Sequence, residues 1–225
     1  MNTSDKTSSL PPIASHEEWL LAYEELLIKE KEMTRKLDAL AAERRRLPMV
    51  LVEDQYNFTG KDGDITLLDL FQGSRQLIVY CAMLEPGAKP CSGCSMVMDN
   101  IGHNLTHINE RDTTFVFTSP APQEEIVALQ KRMGWNAPWY TDKNRRFADA
   151  FGAGRGFAVN VFIRDDKKRV YRTYYTTGRG GELFDTHFRL LDITPYGRQE
   201  TWEDSPEGWP QTPPYQWWRM HDEYK

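Results

Sequence analysis

Three cysteines in 225 residues are too few, and one too many, for a small secreted disulfide framework. No stretch approaches the ~18 consecutive apolar residues needed to span a membrane. No long basic block is present, so no nucleic-acid partner is expected. The nearest candidate, Arg44-Arg45-Arg46, complements the C-terminal dipole of a helix instead. The first residues, Met1 to Lys6, lack the charged-then-apolar pattern of a secretory signal. Together these features lead us to expect a cytoplasmic protein, with no membrane partner, in which neighbouring thiols are reduced by default. The charge is a modest −5, from 28 basic and 33 acidic residues, and 40% apolar content suffices for a core.

Two of the cysteines are three residues apart, in Cys91-Ser92-Gly93-Cys94. They follow an apolar run of strand type, Leu77 to Leu84, and precede a segment with helical character from Ser95 to Ile108. Residues i and i+3 are neighbours on a helical turn. That separation lies within the span a disulfide tolerates. A cysteine at a helix start is also stabilised as thiolate by unpaired N–H groups and the helix dipole. Strand, CxxC, helix is the construction of a redox dithiol. Cys91 is the expected nucleophile and Cys94 the resolving thiol, with a protein or small-molecule thiol or disulfide as substrate. Cys81, inside the strand pattern, is expected to be structural.

These residues admit other readings. Cys91, Cys94, His103 and His107 imitate a zinc knuckle. On one continuous helix, however, the ~900° between Cys94 and His103 points them to opposite sides. An inert core pair, and a Cu(I) carrier with Met96 and Met98 nearby, are further alternatives. No metal or cofactor is expected. A peroxidase is disfavoured because Ala88 stands where a peroxidatic signature needs Thr or Ser three residues before the nucleophile. Lys89 could support a thiolate, His187 could serve as a general base, and Arg155 or Arg179-Gly180-Gly181 could bind an anion. A solvated lysine, a core histidine and simple turns are the plainer alternatives.

Along the chain, residues 1–14 read as a disordered lead. An amphipathic helix over 15–48 opens with the capping-box pair Ser15 and Glu18 and carries the stripe Trp19, Tyr23, Leu26, Met33, Leu37, Leu40. Packing on its own domain is the expected use of that stripe, with a homodimer through it as the alternative. Leu51-Val52-Glu53 and Tyr56-Asn57-Phe58 read as short strands around a turn. A strand at Thr113–Thr118, a helix at Ala121–Met133, a hairpin turning at Asp165–Lys168 and a last helix at Leu183–Leu191 follow. The order β-α-β-α, hairpin, helix gives an α/β, thioredoxin-like domain over 49–193. Residues 194–225 are rich in proline and tryptophan; we expect a strap packed on the domain rather than an aromatic wall beside a pocket.

The Trp19 helix, the Leu77–Leu84 strand with CSGCS at 91–95, the Gly197-Arg198 turn and the terminal Trp218-Arg219-Met220-His221-Asp222-Glu223-Tyr224 together resemble the DUF899 family. The likeness extends over nearly all of the chain after residue 14. It implies a thioredoxin-like fold and dithiol–disulfide chemistry. Two departures stand out from the thioredoxin pattern: no proline occurs in Gly156-Phe157-Ala158-Val159-Asn160, and Ser-Gly separates the cysteines. A thioredoxin-like module without redox activity, binding a partner or a small hydrophobic ligand through the aromatic tail, is the alternative function.

Overall fold

The computed structural model describes residues 10–224. The expected disordered lead therefore falls, for residues 1–9, outside the described residues. The described residues divide into two compact units, one built from residues 10–48 and 191–214, the other from residues 49–190 and 215–224.

The first unit contains helix α1 (His16–Arg44). Its start is the capping box read in the sequence: the Ser15 side chain accepts the Glu18 N–H, and the Glu18 carboxylate accepts the Ser15 N–H at 2.8 Å. No residue of α1 is buried, and Trp19 stacks on Tyr23 with ring centres 5.2 Å apart. In the 191–214 segment, buried Arg198 makes a two-pronged ion pair with Asp192 at 2.7 and 2.9 Å and lies over the Trp202 ring. Tyr196 meets Trp209 edge-on.

The second unit is one eight-stranded sheet with helices on its faces. In chain order it comprises β1 (Val50–Leu51), β2 (Asn57–Gly60), β3 (Gly63–Thr66), β4 (Gln76–Cys81), α2 (Ser92–Ile101), α3 (Thr106–Asn109) and β5 (Thr113–Ser119). Then come α4 (Gln123–Met133), β6 (Trp139–Thr141), α5 (Arg146–Ala150), β7 (Ala158–Arg164), β8 (Val170–Thr176) and α6 (Thr186–Asp192), whose last two residues belong to the first unit. The strand order is β1-β8-β7-β4-β5-β6-β2-β3. At its centre β4 runs parallel to β5 and antiparallel to β7, and β7 pairs antiparallel with β8. That four-stranded order and those directions are the thioredoxin-like core that the sequence order implies.

The two central strands are buried on both faces, which explains their nearly continuous apolar sequence. Alternation still sorts their side chains. Leu77, Val79 and Cys81 join Phe58, Phe71, Phe147 and Phe162 on one side, while Tyr80, Phe115 and Phe117 join Val97, Met98, Ile126 and Met133 on the other. Each such side chain contributes about 1.5–3 kcal/mol by leaving water. The β7–β8 turn is fixed by the Asp165 carboxylate, which accepts the N–H groups of Lys167 and Arg169 at 2.9 Å each.

Three local expectations are corrected. Val50-Leu51 pairs with β8, not with the Tyr56–Phe58 stretch, which belongs to β2 and pairs with β3 and β6. The helix after the dithiol begins at Ser92 and stops at Ile101, because the Gly102 carbonyl is taken by the N–H groups of Asn136 and Ala137 at 2.8 and 3.0 Å. The last helix starts at Thr186, preceded by a 3₁₀ turn from Gly178 to Phe184, and buries only Phe188.

Candidate active site

The end of β4 and the start of α2 are joined by a loop that folds back on the sheet. Ala82 donates its N–H to Thr118 at 2.7 Å, and Cys91 donates to the Met83 carbonyl at 3.4 Å. Cys91 therefore stands at the N-cap of α2 in an extended conformation, φ −68° and ψ 122°. Pro90 precedes it. Cys94 is the third helical residue. An N-cap side chain faces the backbone and side chain of the third residue, so the Cys-x-x-Cys spacing brings the two sulfurs together. All three cysteines are free thiols.

The two thiols have divergent acidities. Cys91 is lowered to about 6, chiefly by a hydrogen bond from the Cys94 thiol, with help from the N–H groups of Cys94 and Gly93 and against partial burial. Cys91 closes no formal capping bond; the N–H groups act on its thiolate as the positive end of the helix. Cys94 moves the other way, well above the usual thiol range. The hydrogen bond it gives to Cys91 is the leading cause, followed by burial and the nearby Cys91 charge. Its sulfur accepts from the Tyr80 hydroxyl at 3.6 Å and the Met83 N–H at 3.5 Å. Burial keeps the Tyr80 phenol protonated and able to donate. Burial also pushes Cys81 up to about 12, which makes it an inert core thiol, as the sequence suggests.

A cavity of about 350 Å³ opens beside the pair. Its walls include Tyr80, Met83, Val97, Phe157, Phe188 and Trp218, with Tyr215 beside them. Arg179, Glu182 and Asp185 add charged groups. Arg179 is held by Glu182 at 2.9 Å, and Asp185 accepts the His187 N–H at 3.0 Å.

Trp218 reaches the cavity because the C-terminal segment is tied down at several points. Arg132 on α4 binds Asp222 through two hydrogen bonds, at 2.7 and 2.8 Å. Asp99 on α2 meets His221 at 2.7 Å. Lys89 meets Glu223 at 3.3 Å. Met220 is fully buried, and its sulfur accepts the Ser95 hydroxyl at 2.9 Å. Lys89 is thus spent on the tail rather than on the Cys91 thiolate. His187 faces Asn100 and Asp185 and does not line the cavity. Of the candidate anion-binding residues, Arg179 and Gly181 line the cavity and Arg155 does not. His103 and His107 lie beyond the end of α2, and among the described residues no three His, Cys, Asp or Glu side chains come together as a metal site.

Trp218 and Tyr215 are the residues that sequence reasoning undervalued. For these two the aromatic-wall alternative describes their position. The available signal was Gly93: a β-carbon there would lie 2.6 Å from the Trp218 ring, so the glycine makes room for the indole. Similarly, a β-carbon at Gly181 would lie 2.6 Å from the Phe157 ring.

The fold and the thiol pair at the end of its first core strand define a thioredoxin-like protein. The sequence profile of DUF899, described as a bacterial protein of unknown function, matches residues 8–224, and the chain belongs to that family. No curated protein matches the chain. Solved structures similar to part of it include the pneumococcal exposed lipoprotein thioredoxin of Streptococcus pneumoniae, at 13% identity over 56% of this chain and 90% of that one, TM-score 0.42. Another is peroxiredoxin Q of Xanthomonas campestris, at 14% identity over 65% and 97%, TM-score 0.45. A third is a hypothetical protein of Sinorhizobium meliloti, at 16% identity over 58% and 71%, TM-score 0.42. Among the described residues no helix is long and apolar enough to cross a membrane.

Proposed function

We propose that this protein is a dithiol–disulfide oxidoreductase in which Cys91 attacks and Cys94 resolves. The observation that carries this reading is the placement of two adjacent thiols at the start of α2: Cys91 partly accessible at the N-cap, Cys94 buried one turn on, an arrangement that lowers the first and holds the second protonated. The Cys91 thiolate attacks one sulfur of a disulfide, its new S–S bond forming as the old one breaks and the first thiolate leaves and takes up a proton.

The mixed disulfide has no charge on Cys91. The two influences of Cys91 that hold Cys94 protonated, the donated hydrogen bond and the neighbouring negative charge, therefore vanish together. The donors that favour a Cys94 thiolate, Met83 N–H and the Tyr80 hydroxyl, remain. Cys94 then loses its proton and attacks Cys91, releasing the second thiol and leaving a Cys91–Cys94 disulfide. Two electrons pass to the substrate, and an external dithiol returns them. A Cys91→Ser protein should lose disulfide reductase activity; undiminished activity would overturn the assignment.

The apolar cavity also favours a second reading, a module that only binds a small hydrophobic ligand. That reading requires a pair that does not cycle.

A further inference from the structure

The walls around Cys91 speak to its substrate. Resting on the dithiol reading above, we infer that the site acts on small apolar disulfides rather than on extended polypeptide or anionic disulfides. Phe157 immediately precedes β7 and stacks on Tyr80 with ring centres 5.4 Å apart and planes 7° from parallel. Gly181 allows that ring its place. The Phe157 carbonyl already accepts the Thr177 hydroxyl at 2.5 Å. A bound peptide is gripped mainly through free backbone N–H and C=O groups on an edge, and here this stretch presents a phenyl ring and an engaged carbonyl.

The opposite side is closed by Trp218, packed on Gly93, on Tyr215 at 4.7 Å and on Phe188 at 5.8 Å between ring centres. The cavity of about 350 Å³ lies at the lower end of the range for ligand pockets. Its charged groups do not invite an anionic substrate. Arg179 is paired with Glu182, so an incoming carboxylate must displace a carboxylate and also faces Asp185. A neutral R–S–S–R of a few carbons per arm suits such walls. Its reduction makes two R–SH: Cys91 and Cys94 supply both electrons, Cys94 gives one proton and water the other, and an external dithiol restores the pair.

The test uses the full chain, reduced, in single turnover, with loss of free thiols read by mass spectrometry. Dipropyl disulfide and bis(2-hydroxyethyl) disulfide have nearly the same shape and differ in their ends. Each rate is divided by that of free dithiothreitol with the same disulfide, which removes intrinsic reactivity. The apolar disulfide is expected to be favoured by more than about tenfold, as burial of its terminal carbons implies. Trp218→Ala should bring that ratio toward one. Independently of any variant, dipropyl sulfide, which has no S–S bond, should slow alkylation of wild-type Cys91 by iodoacetamide. A ratio near one, with both disulfides closing the pair and no protection by the sulfide, overturns the substrate class and leaves the dithiol chemistry standing. Failure of both disulfides to close the pair overturns the underlying oxidoreductase reading as well.

Discussion

The Trp218 indole lies against the first turn of the dithiol helix at Gly93, where a β-carbon would come within 2.6 Å of the ring. Alanine at an ordinary helical position stabilises by about 1 kcal/mol relative to glycine. Here overpacking, typically 1–3 kcal/mol, opposes it. Gly93→Ala is expected to be net destabilising in denaturant unfolding. In Trp218→Ala the same substitution should become neutral or favourable. Additive effects of the two changes would contradict the contact.

The acidity of Cys91 sets a pH profile. Alkylation of Cys91 by iodoacetamide should rise with a midpoint near pH 6, while Cys94 and Cys81 stay unreacted in the folded protein. Because the leading cause is the Cys94 thiol, Cys94→Ala should move the midpoint up toward the ordinary ~8.5. An unmoved midpoint would place the cause in the helix terminus instead.

The same shift links to stability. An acid whose folded value lies below its unfolded one stabilises the fold most above the unfolded value, and loses that contribution as pH falls through the folded value. The pH-dependent advantage of reduced wild type over Cys91→Ser should therefore grow from about pH 6 up to pH ~8.5 and be absent below about 6; above ~8.5 the raised Cys94 thiol works against it. Urea midpoints across that range provide the check.

Tyr80 donates to Cys94, not to Cys91. Tyr80→Phe should leave the first attack intact and slow the second. The mixed disulfide formed with an aromatic disulfide reagent should persist about fivefold longer, the equivalent of one hydrogen bond worth ~1 kcal/mol. Equal lifetimes would remove Tyr80 from the resolving step.

Arg132 and Asp222 anchor the segment that carries Trp218. Arg132→Ala should speed amide exchange across residues 215–224 and weaken the apolar-disulfide preference, with little effect on exchange in β4 and β5.

How much of this could be read from the sequence depends on whether a feature is local. Ser15 and Glu18 meet three residues apart, Asp165 caps its own turn, and Cys91 and Cys94 face each other because of one helical turn; each of these interactions lies within a few residues. Val50-Leu51 could not be paired correctly, since its partners are Arg172 and Tyr171 on a distant strand. The end of α2 at Ile101 depends on Asn136 and Ala137 reaching the Gly102 carbonyl. Trp218 is in the site because Asp99, Arg132 and Lys89 hold the tail, three contacts spread over a large part of the chain. The sequence showed an aromatic tail without showing which of its rings would meet the thiols.

In the proposed chemistry Cys91 and Cys94 cycle as a two-electron pair. Equilibrating the protein in graded dithiothreitol redox buffers, trapping free thiols and weighing the products tests it most directly. One reversible transition is expected in which both thiols disappear together, absent in Cys91→Ser and in Cys94→Ser. Two thiols that stay reduced across the whole range, or that oxidise independently of each other, would contradict it.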